Sequence, residues 1–439
     1  MEKYITVIGG GLAGCEAAYQ IAKHNIKVKL YEMKPNQYSP AHTNKNLAEI
    51  VCSNSFKSNL ITNACGLLKE ELRRLDSLLI KSADKVAVPA GQALAVDREE
   101  FSKLITKEIE GNPNIEIIRE EFVNQEDMEK NIIIISTGPL TSDKLSDKIG
   151  KLTKAENLHF FDAAAPIIEK SSINMNIAFF GDRYGKGDSS YINLPMQKQE
   201  YEKFYNELIN AEVATLHEFE KREIFEGCMP VEVMAKRGID TLRYGPLKPV
   251  GFDDPRTGKR PYAIVQLRQD NSQGTLFNMV GFQTNLKFGE QKRVFSLIPG
   301  LENAEFVKYG VMHRNTFINS PELLDETFNM KEKQNVFFAG QITGVEGYVE
   351  SIASGLLAGI NAIEKFNNTD KKITFSNKTM IGALSKYIAT PNKYFQPMNA
   401  NFGILPELEN KIKDKKERYE MLARRAMESL ESDIKKFEF

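Results

Sequence analysis

The chain has 439 residues, of which 41% are hydrophobic and 27% charged, with a formal net charge of -1. This is the composition of an ordinary globular protein, long enough for two domains; no apolar run approaches the ~18 residues of a membrane span, and the amino terminus enters a strand at once rather than a secretory leader. Cys15, Cys52, Cys65 and Cys228 form no CxxC pair and no zinc spacing, so a reducing cytoplasm is expected, with no metal site and no disulfide framework.

In chain order, Tyr4 to Ile8 reads as a buried strand, Gly9 to Gly14 as a GxGxxG turn, Cys15 to His24 as a helix, and Val28 to Tyr31 as a second strand ending in Glu32. Each part has a reason. Gly9, Gly10, Gly11 and Gly14, with Leu12 and Ala13 between them, let the backbone approach a pyrophosphate at a helix amino terminus. Glu32 stands where a carboxylate accepts from a ribose hydroxyl. "CGLLKEELRRLDSLL" reads as an amphipathic helix. "NIIIISTGPL" is a buried strand closed by Thr-Gly-Pro. The segment 158–329 changes pattern: "SSINMNIAFF" and "YAIVQLRQD" read as strands, "PMQKQEYEKFYNELINA" as a helix, "GTLFNMVGFQTNL" as a strand with a bend. "VFFAGQITGVEGYVESIASGLLAGINA" is a strand, a turn containing Gly340, Gln341, Gly344 and Gly347, and a helix opened by Tyr348, a ring placed to meet a flavin or folate. The carboxyl end reads as an amphipathic helix or pair.

This order matches two-dinucleotide-fold flavoproteins of the glutathione-reductase type. The expected class is therefore α/β, with an FAD domain from residues 1–157 and 330–439 and an inserted α+β domain at 158–329. The dipole of the late helix can stabilise negative charge on reduced flavin.

Two thiols, Cys52 in "EIVCSNSFKSN" and Cys228 in "FEGCMP", lie in small polar settings. They are too far apart in sequence to support a redox pair. A thiolate can instead add to C6 of uracil and make C5 nucleophilic, provided its pKa is lowered. Cys15 and Cys65 read as packing residues.

The strings "VIGGGLAGCEAA", "AEIVCSNSFKSN", "VPAGQALAVDR", "FEGCMPVEVMAKRG", "YGVMHRNTFINSP" and "FFAGQITGVEGYVES" span nearly the whole chain. Together they resemble the folate- and FAD-dependent tRNA (uracil-5-)-methyltransferases, the TrmFO family, which is similar to the GidA flavoproteins. The resemblance implies 5,10-methylenetetrahydrofolate as carbon donor, reduced FAD as carrier and reductant, NAD(P)H as electron source, and uridine 54 of the tRNA T loop as target. It implies Cys228 as the uracil nucleophile and Cys52 as the second active-site thiol, serving in proton transfer or flavin protection. Lys236, Arg237, Lys259, Arg260, Arg268 and Arg314 are candidate RNA contacts. The usual "CSNSLRSN" appears as "CSNSFKSN", which puts Phe56 and Lys57 beside the site. Paralogues from AT-rich genomes act on 23S ribosomal RNA, which this composition also fits. The flavin motifs by themselves also admit a non-catalytic RNA-binding flavoprotein or a plain NAD(P)H–flavin oxidoreductase, and the oligomeric state is open.

Overall fold

The structure is a computed structural model that describes residues 3–123, 128, 130–154, 158–185, 190–214, 229–310, 312–369, 371–392 and 395–437, without the side chains of 158–163, 185 and 312–314. Five parallel strands form the first sheet in the order Val336–Phe338, Ile132–Ile135, Tyr4–Ile8, Lys27–Tyr31, Ile115–Ile118. The strand from the late segment thus pairs beside the strand "IIII", and both ends of the chain share one sheet. The first helix, Leu12–Lys23, starts three residues earlier than the sequence predicts. The glycine turn flows directly into its first turn, and Gly11 is its N-cap.

The helix Leu12–Lys23 crosses the helix Tyr348–Phe366 at very short range. A Cβ built on Gly355 would lie 2.2 Å from the Ala13 carbonyl oxygen, and one on Gly359 would lie 3.1 Å from the backbone of Ala17. Backbone therefore packs on backbone. The first core gathers Ile5, Val7, Ala17, Ile134, Phe338, Leu356 and Ile360 around this crossing.

A second core, built from residues such as Leu194, Phe204, Val265, Phe282 and Phe295, draws its buried members from positions 165 to 304. Its sheet is antiparallel, in the order Phe179–Phe180, Ile192–Met196, Ala263–Gln269, Leu276–Met279, Ile167–Glu169, Phe306–Lys308. The chain passes from the first core to the second along Leu158–Ala163 and returns along Met312–Phe317; these two strands pair antiparallel. Phe317, Ile318, Leu324 and Phe328 already pack in the first core.

Several expected elements are shorter or divided. "CGLLKEELRRLDSLL" makes two helices, Ala64–Arg74 and Leu78–Lys85, because Asp76 takes a left-handed conformation (φ 60°) and Ser77 caps the second one. Pro195 and Met196 belong to a strand, so the next helix spans only Lys198–Asn210, opened by a capping box of Gln197 and Glu200. In "SSINMNIAFF" only Phe179–Phe180 pairs as strand, since Asn174 opens a turn in which its carbonyl accepts from Ile177 and Ala178. The carboxyl end is one helix, Lys415–Phe437. A three-stranded antiparallel sheet, Ser55–Ser58, Ala93–Val96 and Ala87–Val88, was not expected from the sequence; its first strand follows Cys52 directly. Among the described residues no helix is long and apolar enough to cross a membrane.

The helix crossing can be tested directly. Gly355→Val forces two helix backbones apart, and overpacking of this kind costs about 1–3 kcal/mol. The variant should melt at lower temperature and lose flavin absorbance on purification. A variant that melts with wild type and retains full absorbance refutes the role given to this contact.

Candidate active site

The strand–turn–helix at the amino terminus builds one wall of a cleft. Gly9 has φ 102°, and a Cβ there would sit 2.7 Å from the Ser136 carbonyl oxygen. A Cβ on Gly10 would strike Leu47 and the Glu32 carboxylate, and one on Gly14 would lie 1.9 Å from the Gly9 carbonyl oxygen. At Gly11, by contrast, an added Cβ would meet nothing within 4 Å. Three of the glycines are thus required for packing, and the fourth faces open space. The helix behind them has no side-chain cap and no acid in its first turn, so its N–H groups and partial positive charge are turned to the cleft.

Glu32 is buried, and its two oxygens accept from the Gly10 N–H (3.0 Å) and the Lys34 N–H (2.9 Å). It keeps further lone pairs for a hydroxyl donor on the cleft side. From Glu32 the cleft runs past Gly9–Ala13 and Thr137–Pro139 to Gly340, Gln341, Tyr348 and Ser351, with about 1100 Å³ of empty space. That exceeds the usual range for a drug-sized ligand and accommodates an extended one. Gly340 has φ 81°, and a Cβ there would lie 3.1 Å from that of Ala13. The cradle fits a flavin dinucleotide: small residues wherever backbone must approach, orphan N–H groups for phosphate, an acid for ribose. Gly344 and Gly347 do not line it. The first packs on the Phe395 ring and the second on the Glu350 carboxylate, both with positive φ.

Tyr348, the first residue of its helix, borders the cleft and also reaches the thiol loop. Its hydroxyl oxygen accepts from the backbone N–H groups of Cys52 and Ser53, each at 3.0 Å. Burial, and then the nearby Cys52, push its pKa above the ordinary value, so it stays a neutral phenol. Phe56, the departure from the usual string, is buried between Phe101 (5.4 Å between ring centroids) and Tyr348 (5.5 Å). It supports Tyr348 from behind and is not exposed to the site.

The same loop is clamped from the second core. Arg268 donates through Nε to the Asn54 Oδ1 (3.0 Å) and through Nη2 to the Ser53 Oγ (2.6 Å). Asn54 is fully buried and donates to the carbonyls of Val96 (3.0 Å) and Gln269 (2.8 Å). Arg98 donates to the Ile50 carbonyl (3.1 Å) and forms a two-oxygen ion pair with Asp270. Asp97 caps the helix Arg98–Glu110 with one oxygen and accepts from the Ser272 N–H (2.8 Å) with the other. Lys308 lies within electrostatic reach of Cys52, Arg98, Glu49 and Asp270; burial first, and then Arg98, hold its pKa below the ordinary lysine value.

Of the residues expected to contact RNA, Arg268 is placed differently. It is buried, and burial depresses its pKa; its hydrogen bonds hold the thiol loop. Lys236 and Arg237 are exposed at the end of the helix Val231–Ala235, and Lys259 and Arg260 are exposed in the turn that follows Asp254. Cys228 and the side chain of Arg314 fall outside the described residues. Cys15 and Cys65 are core thiols: Cys15 reaches the Gly10 carbonyl (3.3 Å), and Cys65, its pKa pushed up to about 11 by burial, reaches the Phe56 carbonyl (3.4 Å). Local pattern assigns no role to Asn54, Arg98, Asp270 or Lys308. Asn54, Arg98 and Asp270 sit within recognisable motifs, but their partners lie up to 215 positions away.

The family model for glucose inhibited division protein A matches residues 4–370. A methylenetetrahydrofolate–tRNA-(uracil-5-)-methyltransferase TrmFO from Acetivibrio thermocellus is 60% identical over 438 residues, covering 100% of both chains. The protein of the same name from Enterococcus faecalis is 57% identical over 429 residues, 98% of each chain. Among solved structures, GidA of Aquifex aeolicus superposes with a TM-score of 0.69 at 16% identity, over 98% of this chain and 74% of that one, which speaks to the fold. Identity at this level over the full length, on a backbone of the GidA type, places the chain in the TrmFO family.

Proposed function

We propose that this protein is an RNA (uracil-5-)-methyltransferase that takes its carbon from 5,10-methylenetetrahydrofolate and delivers it to a tRNA, at uridine 54 of the T loop. The observation that carries this reading is the position of Tyr348: one phenol borders the dinucleotide cleft and holds the backbone of Cys52. A thiol at the end of a flavin cradle has little use in a plain oxidoreductase without a second cysteine close by. The names of the relatives at 60% and 57% identity support the same chemistry and a tRNA substrate.

In this reading Gly9, Gly10, Gly11, Leu12, Ala13 and Glu32 hold the adenine dinucleotide end of FAD, and Gly340, Gln341 and Tyr348 adjoin the isoalloxazine. Gly14, Gly344 and Gly347 serve through packing. When bound, FAD reduced by NAD(P)H supplies the hydride that takes the carbon from the methylene to the methyl level. The protein supplies the thiols. The Cys228 thiolate adds to uracil C6, and the electron pair moves through C5 to the electrophilic carbon, forming the new C–C bond. A base then removes the C5 proton, and the thiolate leaves C6 as the ring double bond returns. Cys52 is assigned the proton transfer. The positive charges of Arg98 and Lys308 favour a thiolate at that position. The two separate cores support an FAD domain from residues 1–157 and 330–439 around an inserted domain at 158–329, with the return crossing drawn nearer Phe317. Lys236, Arg237, Lys259, Arg260 and Arg314 remain the assigned phosphate contacts.

RNA carrying 5-fluorouridine at the target cannot lose its C5 substituent as a proton, so it should trap a covalent complex with wild-type protein on a denaturing gel. Cys228→Ala should abolish the trapped species with flavin still bound, and Cys52→Ala should form it while losing turnover; the reverse pattern exchanges the two roles.

Isotopic label should enter RNA from the folate methylene and not from S-adenosylmethionine. Mapping the labelled nucleotide in tRNA and in 23S ribosomal RNA decides the target. Label arriving from S-adenosylmethionine overturns the mechanism.

Arg268→Met should unclamp the Cys52 loop. With two hydrogen bonds lost at a buried site, kcat should fall by at least tenfold, since a buried unsatisfied group costs about 1–3 kcal/mol. RNA affinity should stay within twofold of wild type. A selective loss of RNA affinity would restore Arg268 to the RNA surface.

A further inference from the structure

Beside the thiol loop the second domain carries a short column of aromatic rings. Phe306 and Tyr309 lie 5.5 Å apart at 13°, and Tyr309 and Phe288 lie 5.1 Å apart at 17°. Three rings are thus stacked nearly parallel. The inner end is anchored, since Phe306 also packs on Phe295 of the second core (6.4 Å). The segment after the column is pinned to the helix Phe288–Phe295: Gln291 accepts from the Gly310 N–H and donates to the Gly310 carbonyl, each at 2.8 Å. The outer end is open. Phe288, one face against Tyr309, is 56% exposed, and the neighbouring Val307 is 57% exposed.

Burying a phenyl ring is worth about 1.5–3 kcal/mol, so a column held rigid and left uncovered at one end presents a π-face that another ring would cover. The occupant is decided by what stands next to it. Lys308, between Phe306 and Tyr309 in sequence, lies within electrostatic reach of Cys52 and of Arg98. One residue step therefore separates the column from the proposed reaction site. An apolar ring platform that adjoins a cation and a thiol assigned to a uracil fits an unpaired nucleobase with its phosphate: aromatic side chains stack on any base, and the cation takes the backbone.

We infer that Phe288, Tyr309 and Phe306 form a stacking platform for an unpaired base of the RNA substrate, with Phe288 as the face that the base covers. The inference rests on the RNA-methyltransferase reading of the site. It gives the second domain a reason to hold three parallel rings beside the thiol loop, and it makes the enzyme prefer a target whose neighbouring base is unstacked.

The test compares Phe288→Ala with Phe288→Trp in the full chain, with a T-arm stem-loop transcript and a fully paired RNA of equal length as probes, at one fixed salt concentration. Phe288 is exposed at the first turn of its helix, and both variants should match wild type in melting temperature and flavin content. Phe288→Ala should bind the stem-loop about tenfold more weakly, the scale of one lost base stack, and should raise KM for RNA with kcat nearly unchanged. Phe288→Trp should bind as well as wild type or better, and the paired RNA should not distinguish the three proteins. Equal stem-loop affinity for Phe288→Ala and wild type overturns the inference, as does a Trp variant as weak as the Ala variant. A change in oligomeric state with RNA affinity intact would instead mark the patch as a protein interface. If wild type neither binds nor methylates the stem-loop, the RNA reading itself fails, an outcome distinct from failure of the platform.

Discussion

The structure depends on one contact, the approach of the helix Tyr348–Phe366 to the helix Leu12–Lys23 at Gly355 and Gly359. Because Gly355 has no side chain, the Ala13 carbonyl can sit where a Cβ would lie, 2.2 Å away. This brings the amino ends of two helices, one from each end of the chain, to the same side of one sheet. Gly340 is held there as well, its N–H donating to the Ser354 Oγ at 2.7 Å on the second helix. Two partial positive charges and two runs of orphan N–H groups then face one cleft. Neither end of the chain makes that arrangement alone.

From this crossing the position of the reactive loop follows. Tyr348 begins the second helix, so fixing the helix fixes the phenol, and the phenol takes the N–H groups of Cys52 and Ser53. The second domain completes the loop with polar groups. Asn54 has its amide hydrogens on carbonyls from both cores and its oxygen on Arg268. A buried amide with every group satisfied is strongly directional, because a shift of either domain would strand a donor in a dry interior. Arg98 and Asp270 add a paired charge between the domains, with only 17% and 5% of their side chains exposed. A pair this dry contributes little net stability. Its effect is on geometry: it sets the second domain, and the ring column it carries, against the loop.

The core thiols show the opposite environment. Cys15 and Cys65 sit in the first core, where burial raises both pKa values and makes a thiolate costly. Cys52 is only half-buried, on a loop flanked by Arg98 and Lys308. Among the described cysteines, residue identity is the same and surroundings alone separate packing from chemistry.

The sequence by itself determined the dinucleotide end of the protein, because strand, glycine turn, helix and acid lie within some thirty residues and local rules govern each step. It determined that Cys52 is unlike Cys15, through the polar residues beside it. It did not reveal that Asp76 divides an amphipathic run into two helices, since the periodicity continues across a single left-handed residue. Only the tertiary structure decided that Arg268, one cation in a basic stretch, is buried on Ser53 and Asn54 while Lys259 and Arg260 remain exposed. Only it decided that Phe56 backs Tyr348, and that Phe288 stacks outside Tyr309. The reason is physical: a side chain's solvation depends on residues brought to it from 20 to nearly 300 positions away, and no local pattern encodes which of several similar residues will meet them.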